Sequence, residues 1–121
     1  MPVRFTVDPI HSLVLTVIEG PVTPGEMFAY HAALRKAPSF SPSFDCLTEY
    51  DAGSSFVGSP ADIQRLVEGM PFDAGTRRAY VASVDLHFGL SRMAQVYAER
   101  KGVEVRVFRD RAAALVWLGH D

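Results

Sequence analysis

The residues of this chain best suited to chemistry fall in two short turns. Ser54 and Ser55 lie in EYDAGSSFVGSPAD, residues 49–62, just after Asp51, while Asp85 and His87 open a later turn. A serine hydroxyl beside a histidine base that an acid orients is the arrangement of an acyl-transfer nucleophile. The flanking GSSFVG is not the Gly-x-Ser-x-Gly elbow, so a Ser/His hydrolase ranks third among the readings. Either serine could instead carry a phosphate. Near a helix N-terminus a phosphoserine would gain from unpaired N–H groups and the positive end of the dipole. The nearest cap, however, is Ser59, followed by a proline that explains it structurally. The loop reads first as flexible polar surface, with Ser54 and Ser55 as candidate phosphorylation sites.

Metal chemistry is disfavoured. His11, His31, His87 and His120 are dispersed, none pairs with another at i, i+4, and Cys46 is the single cysteine. No metal and no cofactor are expected. Glu49 sits late in an inner strand, where an unpaired carboxylate is costly. It reads as a cap on loop amides or a partner of an arginine such as Arg92; the functional alternative is contact with a ligand or partner. Phe88, Gly89 and Arg92 form an aromatic–glycine–arginine patch of the kind enriched at interfaces. The bland alternative has Phe88 folding over the sheet edge while Gly89 lets the helix pack closely. The candidate binding surface is Glu49, Asp51, Asp85, His87, Phe88 and Arg92.

Composition bounds the rest. At 121 residues and 13.3 kDa, with 48% hydrophobic and 21% charged residues, the chain has the make-up of one globular domain, residues 1–121. A net charge of -2 gives no field for a phosphate backbone, so nucleic acid is not an expected partner. The first residues lack the pattern of a secretory signal, and no apolar run approaches the ~20 residues of a membrane span. The expected location is the cytoplasm.

The elements that must position these residues follow from periodicity. VRFTV alternates, and LVLTVI is apolar throughout, as in a central strand. Thr23-Pro24-Gly25-Glu26 opens a helix with Met27, Tyr30, His31 and Leu34 inward, ended by Pro38. FDCLTEY is the next strand, and Ser59 caps a helix with Ile63, Leu66, Val67 and Met70 on one face. RAYVASV is a strand. Asp85 is expected to cap the following helix, with Leu86, Leu90, Met93 and Tyr97 inward and Lys101-Gly102 at its end. VEVRVF alternates as an outer strand, and Asp110 caps a last helix whose Leu115, Val116 and Trp117 seal one edge of the core. The order β-β-α-β-α-β-α-β-α predicts an α/β fold with a mixed, mostly parallel sheet. If strand order follows the chain, the helices lie mainly on one face, and the crevice at which doubly wound folds bind nucleotides is missing.

RAYVASVDLHFGLSRMAQVYAE followed by VEVRVFRDRAAALVWLG resembles the SpoIIAA-like proteins, small bacterial relatives of STAS domains. Phe88, Gly89, Arg92 and Met93 match that family's FGxxRM element, and VLTVIEGPVTPGEM resembles its second strand and first helix. The resemblance implies a βα superhelix shared with STAS and with the lipid-binding CRAL-TRIO domains. In regulatory STAS proteins a serine in an Asp-Ser-Ser-Gly-like turn is phosphorylated to break a partner complex. Here GSSFVG departs from that turn, with Gly53 before the serines and Phe56 after them. The leading expectation is a non-enzymatic STAS-like regulatory domain that binds another protein, as a monomer or a homodimer. The alternative is an apolar small-molecule or lipid carrier of CRAL-TRIO type.

Overall fold

The computed structural model describes residues 2–120, apart from the side chains of Leu86 and Phe88. The elements run β1 (Val3–Asp8), β2 (Leu13–Ile18), β3 (Pro21–Val22), α1 (Pro24–Lys36), β4 (Asp45–Tyr50), β5 (Ser55–Phe56), α2 (Pro60–Glu68), β6 (Arg77–Ala82), α3 (Asp85–Arg100), β7 (Glu104–Phe108) and α4 (Arg111–Trp117). The main sheet has the order β1-β2-β4-β6-β7. Only β1 is antiparallel to its neighbour; the other pairs are parallel. Strand order therefore follows the chain without reversal, the condition under which the sequence places the helices mainly on one face.

The two short strands β3 and β5 are not foreseen. The sequence reads Gly20-Pro21 as a stop and residues 51–58 as a flexible loop. Gly20, at φ +65°, instead swings the chain out of β2 so that β3 lies parallel to β5. Ser55 N–H donates to the Gly20 carbonyl (3.0 Å) and Val57 N–H to that of Val22 (2.8 Å). The loop is thus tied at both ends to backbone.

Helix starts obey the capping chemistry in three places. Thr23 and Glu26 form a reciprocal box on α1, and Ser59 and Asp62 form one on α2. Asp110 caps α4 through Ala113 N–H. The fourth expectation fails: α3 is preceded by Val84, which offers no side-chain cap, and Asp85 is its first helical residue. Its carboxylate goes to Arg109 instead.

On one sheet face, residues such as Val14, Cys46, Tyr80 and Val105 meet Tyr30 and Leu34 of α1, Ile63 and Val67 of α2, and Ala94 and Ala98 of α3. On the opposite face Leu13, Leu47, Ala79 and Val81 meet Ala114 and Leu118 of α4. Two expected helix faces are rotated. In α3 the buried stripe is His87, Ser91, Ala94 and Ala98, while Leu90, Met93 and Tyr97 flank it half-buried. Small side chains under the helix axis let it approach the sheet, and the larger ones wedge in from the sides. Leu86, also expected inward, lies outside the described side chains. In α4 Val116 is exposed, Leu115 and Trp117 are half-buried, and Ala114 and Leu118 make the central contacts. Again the small residue wins the close position.

The core under α1–α3 is not uniformly apolar. Thr16, Thr48, Cys46, Tyr30, Tyr80 and Arg78 are all buried there. Tyr30 Oη and Thr16 Oγ1 are 2.6 Å apart, so that hydroxyl pair is satisfied. Burial raises the Tyr30 phenol far above its ordinary range, and it stays neutral.

Candidate functional site

The carboxyl ends of β4 and β6 bring the two chemically interesting turns together. Ser54 is buried (5% exposed); its hydroxyl donates to the Asp51 carbonyl at 2.7 Å, and its own N–H donates there too at 2.9 Å. Both bonds close a tight turn over residues 51–54. His87, in the first turn of α3, is 2% exposed, and its ring stacks on Tyr50 at 5.4 Å; Tyr50 in turn stacks on Tyr80 at 5.8 Å. His87 Nε2 lies 2.5 Å from the Ser54 carbonyl oxygen and 3.3 Å from the Ser54 hydroxyl. A carbonyl can only accept, so Nε2 carries a hydrogen and donates it. Nδ1 is buried without a partner.

This geometry fixes what the pair can do. A general base needs its lone pair on the serine oxygen and an acid behind its other nitrogen. Here Nε2 is the donor, and the Ser54 hydroxyl is committed to Asp51. Asp85 is 96% exposed and bonded to Arg109 Nη2 at 2.9 Å, and Asp51 is exposed. Ser54 and His87 meet; Ser55 and the acids do not join them. The contact holds a loop rather than activating a hydroxyl. Ser55 is half-buried in β5, with its backbone paired to Gly20.

Glu49 finds a partner other than the one expected. Its Oε1 accepts from Arg111 Nη1 at 2.5 Å, across the β4–α4 interface, not from Arg92. Arg92 is exposed on α3. The reason is topological: Glu49 points to the α4 face of the sheet, whereas α3 covers the other face. Glu49 and Asp51 share the wall of an open depression of about 470 Å³ with Arg4, Glu19 and Ser83. Arg4 is bonded to Glu19 at its rim. The Phe88 side chain, placed by sequence in the binding surface, lies outside the described side chains.

Sequence reasoning missed Arg109 and Arg111. A signal existed, because Arg109-Asp110-Arg111 follows the last strand, and parallel strands gather their carboxyl ends on one edge. Among the described residues no group of three or more His, Cys, Asp or Glu side chains could hold a metal ion. Among them also, no helix is long and apolar enough to cross a membrane. The chain matches no family model, no curated protein and no solved structure.

Proposed function

We propose that this chain is a non-enzymatic protein-binding domain of the STAS-like regulatory type, acting through the edge formed by residues 51–58, Asp85 and Arg92. One observation carries the reading: the loop is held in shape while its chemistry is quenched. His87 donates to the Ser54 backbone and the Ser54 hydroxyl donates to the Asp51 backbone. The side chains at positions 51, 85 and 92 meanwhile face solvent. Exposed charges of both signs around a fixed loop suit recognition of a partner, whose encounter rate and register they would set. Within this reading Ser55 is the better phosphate acceptor, since Ser54 is buried and its hydroxyl is engaged. A phosphate at Ser55 would add charge to an edge already carrying Asp51.

A protein captured from the native host by the wild-type chain, and lost with Asp51→Lys, Asp85→Lys and Arg92→Glu together, is the expected result. Retention of that protein by the triple variant would overturn the surface. A second reading has its own support. An apolar groove of about 260 Å³ runs between β1 and α1, walled by Val3, Phe5, Ala29, Tyr30 and Ala33. It would suit the hydrocarbon part of a small ligand, as a carrier requires. Native mass spectrometry of freshly purified protein separates the two, because a carrier keeps a bound apolar molecule.

A further inference from the structure

Between α1, α2 and β6 lies a second, smaller cavity of about 40 Å³. Its floor is Arg78, a guanidinium that stays charged at any physiological pH and here is only 4% exposed. Arg78 Nη1 donates to Met70 Sδ at 3.2 Å, and the cation rests against the rings of Phe72 and Tyr80 at 5.2 and 5.3 Å. Those contacts stabilise the cation without neutralising it. Among the described residues no carboxylate stands within ion-pairing distance of it, and its Nε–H has no partner. A buried charge without a counter-charge is a costly feature for a fold to keep.

A second lining residue also has an unpartnered nitrogen. His31 of α1 is 3% exposed, lines the same cavity, and its Nδ1 is also unpartnered. Burial, then Arg78, Arg35 and Lys101, push His31 down to about 3, so its ring is neutral and can place its hydrogen on Nδ1. Arg35 and Lys101 are themselves engaged, donating to the carbonyls of Glu68, Gly69 and Met70 at the end of α2. The acid that tempers this group is Glu68, exposed and bonded to Gln64. The balance remains positive, and the two residues that each keep an unused nitrogen line one space.

We propose that this cavity binds a short-chain monocarboxylate, its oxygens taking the Arg78 Nε–H and the His31 Nδ1–H and its tail lying against Met27, Leu66 and Met70. One planar anion with two acceptor oxygens matches two N–H donors and one net charge. A single water or halide needs roughly 10–15 Å³ of such space and would leave room over, while a long acyl chain does not fit. Apolar walls suit a hydrocarbon tail of a few carbons and give nothing to a second charge.

The test uses the whole chain, titrated at pH 7 and fixed ionic strength with sodium acetate, propionate or butyrate, and with sodium chloride as the reference. The readouts are the Arg78 Nε–H resonance and the Tm. A saturable shift with the carboxylates and a higher Tm, neither produced by chloride, is expected. Arg78→Gln should weaken binding by about tenfold or more. Because that variant disturbs a buried cation and could unfold, Met27→Trp fills the cavity from its half-buried rim and should also weaken binding by about tenfold. Carboxylates that move the Arg78 signal no further than chloride would overturn the site, as would wild-type affinity in Met27→Trp.

Discussion

His31 and His87 are both almost wholly buried under the same sheet face, and each leaves Nδ1 without a partner. Their surroundings nevertheless differ in kind. His87 stacks on Tyr50 and donates from Nε2 to the Ser54 carbonyl, so the ring is a brace between α3 and the loop after β4. His31 lies beside Arg78 with Arg35 and Lys101 near, a neighbourhood of cations that a protonated imidazole would worsen. The lesson is that burial alone does not define a histidine's role. One is tied into backbone and works mechanically; the other lines a cavity and stays available.

Acid should expose this difference first and most strongly. The unfolded chain takes up a proton at His31 near pH 6.5, whereas the folded state refuses it until about 3. The unfolded state therefore binds more protons in between. The stability contributed by keeping His31 neutral is complete above pH 6.5 and is lost as pH falls through that window, at about 1.4 kcal/mol per pH unit. From pH 6.5 to 4.5 the loss should be roughly 2–3 kcal/mol. His31→Phe keeps a ring and removes the titration. Urea melts at both pH values should show that loss largely absent from the variant, and an equal loss in both proteins would contradict the assignment.

The mirror substitution at the other site should act at neutral pH. His87→Phe preserves stacking on Tyr50 but leaves the Ser54 carbonyl buried without its donor, a cost of about 1–3 kcal/mol. Amide hydrogen exchange should quicken chiefly over residues 51–57. At pH 7 His31→Phe should cost less, because it removes an unsatisfied polar atom rather than creating one. If the two variants are equally destabilised, the contrast between brace and free ring is wrong.

The helix α2 joins the two regions, since it starts just after the braced loop and ends at the carbonyls held by Arg35 and Lys101. Ser59→Ala removes the cap and half of the box, for about 1 kcal/mol by denaturant melts. Its effect should spread toward the loop and leave the His31 pH dependence intact.

Local chemistry makes much of this legible in sequence. Both capping boxes and the left-handed Gly102 after α3 follow from short-range signals that tertiary structure does not override. What escapes is set by distance. The inward stripe of α3 depends on how near the helix comes to the sheet, which favours Ser91, Ala94 and Ala98 over the more hydrophobic Leu90 and Met93. The partner of Glu49 depends on which sheet face it occupies, and 62 positions separate it from Arg111. The Arg78 cavity is hidden for the same reason, because nothing in RAYVASV marks its arginine as inward or its neighbours as lacking an acid. The Ser54–His87 pair is half legible: sequence puts both in turns at strand ends, but not which nitrogen holds the hydrogen.

That last point can be settled by a double-mutant cycle, which should give the smallest number of all. The Ser54 hydroxyl and the His87 ring are within 3.3 Å, so a cycle between Ser54→Ala and His87→Phe tests whether they interact as side chains. If the histidine hydrogen goes to the Ser54 carbonyl, Ser54→Ala leaves that bond in place and loses only the hydroxyl's bond to Asp51, about 0.5–1.5 kcal/mol. The two losses should then add, with a coupling within roughly 0.5 kcal/mol of zero. A nucleophile–base pair would behave otherwise, because the hydroxyl would donate to the ring and each deletion would remove the same bond. A coupling well above ~1 kcal/mol would place the hydrogen on the serine and reopen the hydrolase reading. A near-zero coupling, by contrast, leaves Ser54 as an element of a turn whose shape, not reactivity, is what a partner would meet.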